Sequence, residues 1–348
     1  MGMDDAAGGR RGLRATLSPE LFEAVRNRYG LDGLAGNVDL GGSSSLNLLV
    51  ADGHGRYVVR VYRPYVTAAR LADIQLARRA LAAGGVPCSE AVATRDGQPW
   101  MVFDGRLVEV EHYVERDADM DSWERLEAGL PLLGRIHTLL QTVEVGTDGR
   151  KPVFANHIEP QDVLDWTLRG TRRIRGWHPS PAELRLADAT EELAHRVYAA
   201  ERDLVPALPR QLVHGDYWDN NVFFREGRVV LVIDFDFMGE RARIDDLALT
   251  LYFTNSTFSD APLSDDRVSR LRKLVDAYDQ GLDHPLSSAE RAALPLAIAR
   301  QPLWSIGGWV ALLDDEQSAR RHAAGMCWDV EWALSILREV DRWQAAFA

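Results

Sequence analysis

Lysine is almost missing from this 348-residue sequence: of its 40 basic residues, only Lys151 and Lys273 are not arginine. Any site before residue 151 that needs a fixed cation has to take it from arginine. Cysteine is scarce as well. Cys88 and Cys327 are the only two, too far apart for a disulfide framework or a metal knuckle, so both read as buried, reduced thiols. No apolar run approaches the roughly 18 residues of a membrane span, and the opening MGMDDAAGGRRG lacks the apolar core of a signal peptide. Ala6 stands where a myristoylation signal needs Ser or Thr. The expectation is a cytoplasmic protein with no membrane partner. A basic excess is also missing. The net charge of −12 argues against a nucleic-acid partner, which needs cations to displace counterions from phosphate, but is compatible with cationic small molecules. No G-x-x-x-x-G-K-[ST] occurs, which disfavours a P-loop.

What is present begins with 46% hydrophobic residues, enough for one large domain or two lobes. Residues 1–15 are rich in Gly, Arg and Asp and read as disordered. LSPELFEAVRNRYG reads as a helix with Ser18 as N-cap, Pro19 in the first turn and Gly30 as terminator. SLNLLVAD and RYVVRVYR have the pattern of a hairpin. TAARLADIQLARRALAAGG reads as a helix between Thr67 and Gly84, and WMVFDGRLVEVEHYV supplies further strands. Asp121 is expected to cap the next helix, with Glu124 at the third position as in a capping box. From DMDSWERL onward the pattern is mainly helical, with a strand-like block at 222–236 as the exception. The reading is an α+β chain: an N-terminal lobe over 16–115 and a larger, mainly helical C-terminal lobe over 116–348.

Chemistry concentrates in LVHGDYWDNNVFF, residues 212–224, where His214, Asp216 and Asn221 lie among Leu212, Val213, Val222, Phe223 and Phe224. The strand-like RVVLVIDFD comes after a turn at Glu226 and Gly227, and it delivers Asp234 to the same end. Mg²⁺ prefers hard oxygen ligands, takes one or two from carboxylates and completes its shell with phosphate and water. Asn221 and Asp234 suit that task. Asp216 is then free to orient a hydroxyl and receive its proton.

HGDYWDNN followed by VIDFD resembles the signature of the aminoglycoside phosphotransferase and choline kinase family, relatives of the protein kinases, whose own segments read H-R-D-x-x-x-x-N and D-F-G. The resemblance implies a bilobal protein-kinase-like fold, its small lobe an antiparallel sheet with one or two helices. It implies ATP and Mg²⁺ as cofactors, Asp216 as base, Asn221 and Asp234 as metal ligands, and His214 as a brace for the loop. Asp236 is a further candidate, for metal or substrate. ARIDDLAL resembles the family's GDPxxDLA segment, which gives Asp246 the role of accepting hydrogen bonds from the catalytic-loop backbone. His137 in LLGRIHTLL reads as a core residue.

On the nucleotide side, LGGSSSLNLLV is a Gly/Ser-rich turn before the first hairpin, and Gly42, Ser43, Ser44 and Ser45 offer backbone N–H groups to phosphate. Strand alternation puts Arg60 on one face with Val58 and Tyr62, and the resemblance aligns it with the phosphate-binding lysine of the third strand. Its usual helical Glu partner is missing. Asp73, the only acid between residues 65 and 89, is the expected substitute. The hinge is expected near 111–115, where adenine would meet backbone groups of Glu111, Tyr113 and Val114.

The resemblance leaves the acceptor open. It is expected to be a small hydroxylated molecule, an aminoglycoside or another antibiotic being one class (with antibiotic resistance as the consequence) and homoserine, choline-like alcohols, sugars and nucleosides the others. Trp304, Trp309, Trp328 and Trp332 are available to stack on it, or belong to the helical core. Asp314, with Asp315 and Glu316, is a candidate cation contact. A nucleotide-binding pseudokinase is the competing reading, and monomer and homodimer are both compatible.

Overall fold

The structure is a computed structural model that describes residues 14–42, 45–152, 157–202, 204, 208–258 and 265–348. Of residues 1–15, read as disordered, 1–13 lie outside the described residues, as do Ser43 and Ser44, whereas Arg14 is placed and pairs with Asp39.

The first helix, α1 (Pro19–Tyr29), starts where Ser18 Oγ accepts the Leu21 N–H at 3.2 Å and stops at Gly30, whose left-handed φ of 75° lets its N–H return to the Arg26 carbonyl. Strands β1 (Ala35–Asp39), β2 (Leu46–Ala51) and β3 (Arg56–Val61) come next, then α2 (Ala68–Ala83), β4 (Met101–Phe103) and β5 (Arg106–His112). They form one antiparallel sheet in the order β1-β2-β3-β5-β4. β1 leaves no signal in the sequence, because AGNVD has no apolar alternation; it is an edge strand whose pairing with β2 is irregular.

The two faces of this sheet differ in kind. Leu46, Leu48, Val50, Val59, Val61, Val108 and Val110 pack on Leu21, Val25 and Tyr29 of α1. Arg60, Tyr62, Glu109 and Glu111 alternate onto the opposite face, which meets Gln75 and Arg78 of α2. The charge-bearing alternation of RYVVRVYR is therefore the inward face of the lobe, and all four of these side chains are buried.

Beyond Val114 the chain is mainly helical. β6 (Ala118–Asp119) leads to α3 (Trp123–Leu140), then α4 (Thr147–Arg150), α5 (Val163–Gly176) and α6 (Pro181–Glu201). The cap of α3 is Ser122 rather than Asp121: the Ser122 hydroxyl accepts the Arg125 N–H, while Asp121 pairs with the Arg125 side chain. Next come β7 (Arg210–Val213), β8 (Val222–Arg225), β9 (Arg228–Val232) and β10 (Gly239–Ala242). β10 pairs with β7, and β8 lies between β6 and β9. Helices α7 (Arg243–Thr257), α8 (Asp265–Gln280), α9 (Ser288–Trp304), α10 (Glu316–Gly325), α11 (Cys327–Arg338) and α12 (Val340–Phe347) close the lobe, with a π-helical turn over Ser305–Val310. Of the two thiols, Cys88 is half-buried with its pKa pushed up to about 12 by burial, and Cys327 is exposed, contrary to the buried reading. Among the described residues no helix is long and apolar enough to cross a membrane.

Helix α3 approaches α8 so closely that side chains are excluded. A Cβ on Gly134 would lie 2.3 Å from the Tyr278 carbonyl oxygen, and one on Gly281 would lie 1.8 Å from that of Pro131. Alanine favours a helix interior by ~1 kcal/mol over glycine, but here the obstacle is backbone. Gly134→Ala is expected to lower unfolding free energy by about 1–3 kcal/mol. Gly176→Ala, at the open end of α5 with nothing within 4 Å, should leave it unchanged or raised. Urea unfolding of both variants checks the pair.

Candidate active site

β7 delivers the chain to His214, and Asp246, in the first turn of α7, fixes the loop that begins there. Its two oxygens accept the backbone N–H groups of His214 and Gly215, each at 3.0 Å, and Oδ2 lies 3.1 Å from His137 Nε2. His137 is buried and reaches Tyr278 Oη at 2.7 Å through its other nitrogen. Burial by itself raises the Asp246 pKa, but His137, His214 and Arg241 outweigh it and hold the carboxyl below its usual range. His214 Nδ1 accepts the Asp216 N–H at 3.2 Å, so its Nε2–H donates to the Ile233 carbonyl at 2.9 Å. Burial lowers the His214 pKa and favours this neutral form. Gly215 sits at φ 83° with the Phe237 carbonyl oxygen 2.2 Å from where a Cβ would be, so only glycine fits. Thr250 Oγ1 donates to the Tyr217 carbonyl at 2.7 Å. Leu212, Val213, Val222, Phe223 and Phe224 are all buried beneath the loop.

A 3₁₀ turn over Asp219–Asn221 then brings Asn221 back to Asp216, where Asn221 Nδ2 donates to the Asp216 carbonyl at 2.8 Å and to Oδ2 at 3.0 Å. The Ile233 N–H donates to the Asn221 carbonyl at 3.0 Å and docks the β9 end against the loop. Asp234, the next residue, lies in the left-handed region, φ 65°. From the small lobe, Arg60 Nη2 reaches Asp234 Oδ1 at 2.7 Å and Asp236 Oδ2 at 3.1 Å. Burial and the charge of Asp234 push the Asp216 carboxyl well above its usual range. Burial acts on Asp234 in the same direction, but Arg60 and Arg63 outweigh it and keep that carboxyl low. The two neighbouring carboxyls are thus shifted in opposite directions.

The donor set fits a hard divalent cation. The Asn221 amide nitrogen is committed to Asp216, which leaves its amide oxygen as the group to offer a metal, and Asp234 already holds one cation, Arg60. Among the described residues no three His, Cys, Asp or Glu side chains form a metal cage. Mg²⁺ does not need one, since it takes few protein ligands and keeps phosphate and water.

Several expectations change. Asp73 does not meet Arg60: its oxygens accept the Gly146 and Gly149 N–H groups, each at 2.9 Å, and hold α4 on α2. Glu111 is bound internally by Ser89 Oγ at 2.8 Å and Arg78 at 2.7 Å. The Tyr113 N–H is taken by the Arg56 carbonyl, which leaves Val114 as the member of that stretch outside the strand ladder. Asp236 is buried and pairs with Arg60. Gly42 is exposed, and its carbonyl accepts from Arg14; Ser45 is buried. Trp304 and Trp332 belong to the helical core, Trp309 packs against it and Trp328 is exposed. Asp314 is exposed, whereas Asp315 caps α10 and Glu316 pairs with Arg320.

The sequence reading missed Arg70. It donates to four carbonyls, of Asp148, Lys151, Asp236 and Met238, at 2.6–3.1 Å, and so ties α2 to the segment after Asp234. The available signal was its position on the face of α2 that also carries Leu71, Ile74 and Arg78. A cleft of about 830 Å³ opens beside it, lined in part by Tyr65, Asp148, Lys151, Glu159, Asp162 and Trp166.

A small antiparallel lobe set on a helical lobe, with two acids and an amide converging beside a small-lobe cation, defines a protein-kinase-like small-molecule kinase. Residues 37–284 match the phosphotransferase enzyme family (APH), and the chain belongs to it. It is a phosphotransferase with an alcohol as acceptor. A homoserine kinase of Rhodopseudomonas palustris is 27% identical over 263 residues, covering 73% of this chain and 72% of its own. A microcompartment-associated aminopropanol kinase superposes with a TM-score of 0.68 at 21% identity, over 92% of this chain and 98% of its own. An amicoumacin kinase in complex with AMP-PNP, Ca²⁺ and Ami gives 0.66 at 14% identity, over 91% and 93%. At these identities the two structures speak for the fold.

Asp246→Ala leaves the His214 and Gly215 N–H groups and His137 without their acceptor, and is expected to cost about 3–5 kcal/mol of stability at pH 7. Because the folded-state pKa is depressed, Asp246 stabilises the wild type above the ordinary value of 3.8 and loses that contribution as pH falls below it. The stability gap between variant and wild type should therefore narrow in acid, which urea unfolding at several pH values checks.

Proposed function

We propose that this protein transfers the γ-phosphoryl group of ATP, with Mg²⁺, to a hydroxyl of a small amine-bearing alcohol such as homoserine or a related amino alcohol. The observation that carries the reading is the convergence of Asp216, Asn221 and Asp234 with Arg60 reaching in from the small lobe. Asp216 orients the acceptor hydroxyl and takes its proton. Asn221 and Asp234 hold the metal, which when bound neutralises phosphate charge. Arg60 faces the phosphates. The small acceptor is supported by the homoserine kinase relatives, and the chain's net charge of −12 agrees with a cationic one.

A larger antibiotic acceptor is the second reading, favoured by the cleft of about 830 Å³ with its acids Asp148, Glu159 and Asp162.

Incubation with Mg²⁺ and ATP and a pool of homoserine, aminopropanol, ethanolamine, choline, sugars, nucleosides and aminoglycosides, followed by mass spectrometry, tests both. Expected is one amino alcohol that gains a phosphoryl group, with Asp216→Asn slower by roughly 10²–10⁴-fold and Asp234→Ala inactive. Normal turnover in both variants sinks the assignment, and phosphorylation of aminoglycosides alone moves it to the second reading.

A further inference from the structure

Helix α2 offers Arg60 no acid. Its one carboxylate, Asp73, is turned toward α4, and the carboxylate that faces the helix belongs to β5. Glu109 lies opposite Arg60 in the β3–β5 register and is wholly buried. Gln75 Nε2 donates to Glu109 Oε1 at 2.7 Å, and Arg78 Nη1 lies 3.1 and 3.2 Å from its two oxygens. Arg78 Nη2 extends the network to the Ser89 carbonyl at 2.6 Å and to Glu111 at 2.7 Å. Relative to the strand-cation and helix-acid arrangement of protein kinases, the helix here contributes the cation and the sheet the acid, and neither touches Arg60 directly.

Tyr62 links the two sets. Its hydroxyl donates to Glu109 Oε2 at 2.6 Å, and its ring centroid lies 5.1 Å from the Arg60 guanidinium carbon, within cation–π range. The ring is 2% exposed, so the contact is dry. Tethering the hydroxyl holds the long axis of the ring, and burial restricts rotation about that axis, so together they limit where the guanidinium can lie.

We propose that Tyr62, clamped by Glu109 and Arg78, is the positioning residue for Arg60, replacing the helical carboxylate that this chain lacks. The inference rests on the reading that Arg60 meets nucleotide phosphate. Beside its carboxylate partners Asp234 and Asp236, Arg60 thus has a π-face as its neighbour in place of a third, helical carboxylate.

Titration calorimetry with Mg²⁺·ADP and, separately, with adenosine tests this without knowing the acceptor. Tyr62→Leu is expected to weaken Mg²⁺·ADP by roughly 5- to 30-fold, to leave adenosine unchanged, and to have no further effect in an Arg60→Ala background. Tyr62→Phe keeps the ring but frees it from Glu109; it folds more securely and should show a smaller loss with the same dependence on Arg60. Equal losses with and without Arg60, or an equal loss of adenosine, overturn the proposal. Absence of ADP binding by the wild type overturns the nucleotide reading, and this inference with it.

Discussion

The contact on which the site depends is Arg60 reaching from β3 to Asp234 and Asp236. It is the point where a small sheet and a helical lobe share charges out of water, and such charges are tolerated only when paired. Remove Arg60 and two neighbouring carboxylates, buried Asp236 and half-buried Asp234, repel each other; remove the acids and a cation is left in a closed face. The near absence of lysine gives the pairing its character. A forked guanidinium spans two carboxylates that an ammonium would meet as a point charge.

Around that contact the same solution recurs with other residues. Asp246 gathers two backbone donors and a histidine at the catalytic loop. Arg70 gathers four carbonyls behind the segment after Asp234, and Arg78 joins Glu109 to Glu111. Each is a buried charge that meets several partners close by. The result is a loop held by hydrogen bonds at His214, Gly215, Asp216 and Tyr217, which suits phosphoryl transfer, where positioning and electrostatics supply most of the catalysis.

Sequence carried the geometry of this candidate site wherever the residues lie close in the chain. The Asp216-to-Asn221 spacing and the hairpin after it could be read because one 3₁₀ turn and one short turn connect them. Strand alternation placed Arg60 on one face with Tyr62, and the caps of α1 and α2 came from Ser18, Gly30 and Thr67. What failed was long-range pairing. Arg60 and Asp234 are 174 residues apart, and nothing in a pattern chooses between Asp234 and the nearer Asp73. Arg70 and Arg78 escaped notice because arginine on a helix is usually solvated, whereas here it is the inner face. The side-chain network around Glu111, with Ser89 and Arg78, likewise joins residues distant in the chain.

The proposed division of labour, with Asp216 as base and Asp234 as metal ligand, is tested most directly by electron paramagnetic resonance of Mn²⁺, used in place of Mg²⁺ with ADP. A protein-bound Mn²⁺·ADP signal is expected in the wild type and in Asp216→Asn, and its loss in Asp234→Ala. Loss in Asp216→Asn with retention in Asp234→Ala would contradict that division.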